Sequence, residues 1–371
     1  MKSLCSILAG SYFCLAAVAA DKPLDWPMFR GNEALLGQSM SPISDSYEEA
    51  WSYDTGERVV ASPVISSNEV YVGSISGVFH ALDLNTGKEV WRYATSNAIE
   101  AAAMVVGERV LVGSIDGTLY CLGASDGRVV WTFATEGPIH AAPNLFVPNP
   151  SEPIVLIGSH DARVYGVNLK DGRKLWSYET DNFVNGTPAL QDGRTVFGGC
   201  DGFLHVLRAK DGKVETSIEI GAYIAGSAAM DNGIAYVGHY GNEFIAVDLK
   251  KKAVKWSFAK RDFAYFSSPA ITKNRLVVGG RDKRLHCLDL ESGRQLWEFK
   301  AGGVVDSSPV VSGDRVVVGS SDGRIYILSL SKGQKIWSYD LGDAVISSPA
   351  LAGKMLVVGC EDQRVYGFRA K

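Results

Sequence analysis

Short apolar runs that end in glycine recur along this chain: Val72-Gly73, Val112-Gly113, Ile157-Gly158, Phe197-Gly198, Val237-Gly238, Val278-Gly279, Val318-Gly319 and Val358-Gly359. Each run is accompanied by three further short stretches rich in Val, Ile, Tyr and Phe. In the first complete unit the four stretches fall at about 60–66, 69–74, 78–84 and 88–94. Runs of this length and composition, bounded by Gly, Asp and Asn, predict β-strands joined by tight turns. Asp116-Gly117, Asp201-Gly202 and Asp322-Gly323 suit hairpins that require positive φ. No segment carries the period of a long amphipathic helix.

Two further markers keep the same period. Tryptophans stand at Trp51, Trp91, Trp131, Trp176, Trp256, Trp297 and Trp337, and Thr216 takes the place of an eighth. Small residues recur at Ser62-Pro63, Ala102-Ala103, Ala142-Pro143, Thr187-Pro188, Ser227-Ala228, Ser268-Pro269, Ser308-Pro309 and Ser348-Pro349. Each marker counts eight units of about 40 residues, the length of a four-stranded propeller blade. The prediction is an all-β, eight-bladed β-propeller of four-stranded antiparallel blades. The last unit lacks an outer strand and Glu49–Tyr53 is surplus, so the N-terminal strand completes the last blade and closes the ring. The tryptophans read as clamps between blades.

The expected organisation is a signal peptide at 1–20, a lead-in at 21–48 and the propeller at 49–371. Lys2, the apolar Leu4–Val18 and the small residues Val18-Ala19-Ala20 fit a secretory signal. Tyr12-Phe13 before Cys14 do not fit a lipid-attachment site, so no lipoprotein anchor is expected. Secretion or a periplasmic location follows, with no transmembrane segment after cleavage. Within the lead-in, Asp25–Gly31 looks structured and the rest reads as a connecting loop. The net charge of −4 offers no basic field for nucleic acid. Beyond residue 20 the cysteines are Cys121, Cys200, Cys287 and Cys360. Cys121 and Cys287 share one repeat position, and Cys200 and Cys360 read as sharing another. All four are expected to be buried thiols, with no metal-ligand spacing.

The segment Asp83-Leu84-Asn85-Thr86-Gly87-Lys88-Glu89-Val90-Trp91 and its copies resemble the tryptophan-docking repeat of the pyrroloquinoline-quinone (PQQ)-like propeller superfamily. The resemblance covers about 49–371 and implies the propeller fold. It admits two functions, because the superfamily holds quinoprotein alcohol dehydrogenases and non-enzymatic BamB-type outer-membrane assembly factors. The resemblance implies that a quinoprotein stacks its cofactor on a tryptophan under a vicinal disulfide. Here seven tryptophans are clamps, the eighth is Trp26 in the lead-in, and no cysteines are adjacent. Glu100, Asn185 and Asp306 would supply a calcium set, but nothing fixes a quinone ring above it. No cofactor, metal or catalytic residue is therefore expected, and PQQ with calcium is the disfavoured alternative.

One row of the repeat is not monotonous. Two residues before each small marker stand Val60, Glu100, His140, Asn185, Ala225, Phe266, Asp306 and Ile346. Glu100, His140, Asn185 and Asp306 are the candidate ligand set at one channel mouth. A second candidate surface on the same face combines Tyr223, His239, Tyr240, Lys260, Arg261, Phe263, Phe266 and Arg281, a composition typical of interface centres. The expected function is a monomeric, non-catalytic scaffold for another envelope protein. A quinoprotein oxidoreductase or a small-ligand or carbohydrate-binding propeller is the alternative.

Overall fold

A computed structural model describes residues 25–371; the expected signal peptide lies outside the described residues. Eight separate sheets of four antiparallel strands are present. Blade 1 comprises Val64–Ser66, Glu69–Gly73, Val78–Asp83 and Glu89–Ala94, running from the channel outwards. The next six blades repeat this order. In blade 8, Tyr47–Asp54 pairs with Arg364–Ala370, with Tyr47 opposite Ala370 and Trp51 opposite Gly367. The expected closure by the N-terminal strand is therefore present. Among the described residues no helix is long and apolar enough to cross a membrane.

The repeat markers are contacts between blades. Gly73 faces Ile99 of the next blade so closely that a Cβ would collide with that side chain. The Trp51 indole covers Gly87 of blade 1, where an added Cβ would lie 2.6 Å from the ring. Gly87 also has φ of +68°, so geometry and backbone both demand glycine there. Trp51 donates its indole N–H to the Leu84 carbonyl at 2.8 Å. Trp91, Trp131, Trp256 and Trp297 repeat this bond on Ala124, Leu169, Leu290 and Leu330. Trp176 covers Gly212 but leaves its N–H without a partner. Trp337 faces blade 8, where the turn is replaced by the closure, and packs on Tyr47 and Phe368. At Thr216 there is no indole to clear, and the matching turn position in blade 5 is Lys252, at φ +57°.

The lead-in differs from the expected loop. It is a strap that bonds to the inner strands of blades 1 to 7 and to the turn after the inner strand of blade 8. Trp26 exchanges backbone bonds with Ile65 in blade 1, and the Pro27 carbonyl accepts from Val105 in blade 2. The Glu33 carbonyl accepts from the Asn144 side chain and the Leu190 amide, in blades 3 and 4. Ala34, Leu36 and Gly37 carbonyls accept from Met230, Ile271 and Val311 in blades 5, 6 and 7. The Ser41 hydroxyl accepts from Gly353 in blade 8 at 2.7 Å. Positive φ at Arg30, Gly31, Leu35 and Gly37 makes the bends. These bonds use backbone groups that the short inner strands would otherwise leave unpaired.

Candidate functional site

The strap occupies one end of the channel, and the variable row opens at the other. Three consecutive rim loops share an anchor: the Thr95 hydroxyl meets the Gly77 and Asn97 carbonyls at 2.8 and 2.6 Å, and Thr135 and Thr180 do the same in the next two blades. Glu100, His140, Asn185, Phe266 and Asp306 line one cavity of about 200 Å³, with Phe29 of the strap also in its wall. The variable row thus converges, and its four polar members fall into two groups.

Glu100 and His140 meet at 3.0 Å. The hydrogen bond from His140 holds the Glu100 carboxyl below the usual carboxylate range. The His140 ring lies 4.2 Å from that of His160, and the second nitrogen-bearing edge of His160, at Nε2, meets the Asn185 amide oxygen at 2.6 Å. Asn185 in turn donates to Cys200 Sγ at 3.0 Å. Desolvation, with His140 beside it, pushes the His160 pKa down, so this imidazole is neutral near pH 7. Asp306 stands apart from this chain of contacts. Its two oxygens accept from Arg281 at 3.2 and 3.0 Å, and the Arg281 guanidinium lies 4.0 Å over the Phe266 ring. The bidentate geometry leaves Asp306 paired rather than free.

His160, Cys200, Tyr240 and Arg281 are a second variable row, two residues after the strand glycine in successive blades. It interlocks with the first: His160 with Asn185, Tyr240 with Phe266, Arg281 with Asp306. Sequence reasoning missed His160 and Cys200 as rim residues, although this row varies as strongly as the first. Cys200 also corrects the cysteine reading. It lies two residues after Gly198, whereas Cys360 directly follows Gly359. Cys360 is buried and Cys200 is partly exposed at the rim.

The aromatic surface is partly as expected. Tyr223, Tyr240 and Phe263 are exposed to 54, 50 and 49%, joined by Phe183 at 49%, which the sequence reading did not single out. Phe183 stacks on His160 at 4.8 Å, which links the two groups of residues into one rim. Arg261 approaches Asp282 at 3.4 Å. Two residues are displaced from that surface. His239 is buried and accepts from the Gly241 amide; it directly follows the strand glycine, where Ser74, Ser114 and Cys360 are also buried. Lys260 reaches outwards to Glu298 and Gln295 on the outer strand of blade 6.

The channel wall beneath the rim is a chain of hydroxyls. The Ala142 amide donates to Thr187 Oγ1, Thr187 to Ser227, Ser227 to Ser268, Ser268 to Ser308, Ser308 to Ser348, and Ser348 to Ser62, at 2.8–3.2 Å. The ring is interrupted where Ala102 and Ala142 carry no hydroxyl, opposite the amides of Ser62 and Ala102. Below it, the buried Arg30 guanidinium donates to the carbonyls of Ser308, Pro309 and Pro269 at 3.1, 2.5 and 2.9 Å.

A family model described as "Beta-alanine-activating enzyme, beta-propeller" matches residues 139–371. The chain is 29% identical over 111 residues to the outer membrane protein assembly factor BamB of Moranella endobia (strain PCIT). That match spans 30% of this chain and 28% of the relative's length. BamB from Moraxella catarrhalis shares the fold at TM-score 0.72 and 17% identity, over 87% of this chain and 100% of that one. The quinohemoprotein alcohol dehydrogenase of Comamonas testosteroni does so at TM-score 0.76 and 14% identity, over 94 and 81%. With more than half its length matched by that model and its eight blades built from the PQQ-like repeat, the chain belongs to the β-propeller family of the beta-alanine-activating enzyme type.

Proposed function

We propose that this chain is a non-catalytic propeller of the cell envelope that docks a protein partner on its open rim. The observation that carries the reading is the exposed aromatic crescent of Phe183, Tyr223, Tyr240 and Phe263 on three consecutive blades. Aromatic side chains lose little rotamer entropy on burial and dominate the centres of protein interfaces. Arg281, held over Phe266 and against Asp306, borders the crescent with a fixed charge pair. The similarity to BamB, an outer-membrane assembly factor by name, supports an envelope location and a protein partner.

The rim residues do not fit a stacked quinone. Trp26 is buried against Ile65, and the remaining tryptophans are blade clamps. Of the three oxygens that would hold calcium, Asp306 is engaged by Arg281 and Asn185 by His160.

The test is recovery of a partner from the native envelope with the wild-type chain and with Tyr223→Ala/Phe263→Ala. A protein retained by the first and lost by the second supports docking at the rim. Saturable PQQ and calcium binding with dye-linked alcohol oxidation would overturn the non-catalytic reading.

A further inference from the structure

The hydroxyl ring has an unbalanced hydrogen-bond inventory. Each of Ser62, Thr187, Ser227, Ser268, Ser308 and Ser348 accepts one amide from the preceding blade. A hydroxyl also carries a proton, and among the described residues none of these six has an acceptor for it. All six line the same cavity, so a ligand within it can accept their protons. The amides of Ser62 and Ala102 add two donors at the interruption, where no hydroxyl stands opposite.

The charge below is also unbalanced. Arg30 is 1% exposed and bonded only to carbonyls, one of them that of Ser308, whose hydroxyl lines the cavity. Burial pushes its pKa down to about 9, and its Nε has no partner. Neither rim carboxylate bonds to it: Asp306 is held by Arg281 and Glu100 meets His140. A buried cation without a counter-charge is costly, and hydrogen bonds to an anion are about twice as strong as neutral ones. Water filling the cavity would have to turn its oxygens to the ring and find other acceptors for its own protons.

We propose that the channel holds one small anion, a halide or a small carboxylate, bound by the ring hydroxyls and the free amides above the Arg30 guanidinium. The strap closes the channel beneath, so the anion enters from the rim. The site shares Phe266 and Asp306 with the border of the partner surface, whereas Phe183, Tyr223, Tyr240 and Phe263 lie outside its lining.

The test uses the full chain dialysed into gluconate, with sodium bromide titrated at constant ionic strength. Saturable thermal stabilisation is expected, because a ligand that binds only the folded state raises its melting temperature. Crystals soaked in bromide should show an anomalous peak within hydrogen-bond distance of Ser268 and Ser308. Ser268→Ala/Ser308→Ala should weaken bromide binding by about ten-fold or more, since two charge-assisted bonds are lost. Ala142→Ser places a hydroxyl opposite the Ala102 amide, so it exchanges one donor for another and should change the affinity far less than the double variant does. Bromide at the surface only, a melting temperature that does not saturate, or an affinity unchanged in the double variant would overturn the proposal.

Discussion

Thr216 and Lys252 depart from the repeat together: the blade that lacks a docking indole faces the turn that lacks a glycine. Elsewhere the indole occupies the space a Cβ would need, as Trp51 does over Gly87. The two positions should therefore be energetically coupled. Thr216→Trp alone is expected to destabilise by about 1–3 kcal/mol through overpacking against Lys252. Lys252→Gly alone should change stability by less than about 1 kcal/mol. The double variant should recover a docked indole, with a coupling of at least about 1 kcal/mol. Urea midpoints of the four proteins measure this, and additive effects would mean that the pair is accidental.

Arg30 joins the strap to blades 6 and 7 through three carbonyls. Arg30→Met keeps much of the volume and removes every donor. A loss of about 2–4 kcal/mol is expected, because the buried carbonyls lose their partners. Faster proteolysis within residues 25–46 should accompany it, since the strap then loses three of the bonds that hold it to blades 6 and 7.

The free thiols should separate by reactivity. Burial raises the pKa of Cys121 and Cys287 to about 11 and that of Cys360 to about 12. Cys200 alone of the four is not buried. A thiol reagent such as DTNB at pH 8 should modify Cys200 first in the native protein, and the other three only on unfolding. Equal rates at Cys200 and Cys360 would contradict the corrected register of these residues.

His160 and His239 set an acid limit. Burial lowers the pKa of both below the ordinary histidine value. The unfolded chain then binds more protons than the folded one as pH falls past about 6.5, so stability decreases there and is retained above it. His239→Gln should flatten the decline in melting temperature between about pH 7 and 5. A slope unchanged in that variant would assign the effect to other groups.

The blades were legible in the sequence because each contact between them demands a specific residue. Only glycine fits beneath Trp51 at Gly87 or against Ile99 at Gly73, so both positions repeat visibly. The rim was half legible. Glu100, His140, Asn185 and Asp306 stood out from a uniform row, but their partners His160 and Arg281 belong to a second row. The sequence pattern marks which positions vary, not which rows interlock across blades. The strap was illegible for another reason. Its bonds to Val105, Leu190, Met230 and Ile271 are made by backbone carbonyls, which carry no residue signature.

The pairing of Tyr47–Asp54 with Arg364–Ala370 has a kinetic consequence. Closing a loop of roughly 300 residues costs more entropy than forming any hairpin within a blade, and long-range pairing slows folding. Blades 1 to 7 are made of local hairpins and can form in order as the chain emerges. Blade 8 must wait for both ends. Until they meet, the ring is an open arc in which Arg364–Ala370 lacks its partner strand, the state most exposed to aggregation and to chaperones. The clasp that completes the eighth blade is thus also the step that decides how long the unfinished molecule remains vulnerable.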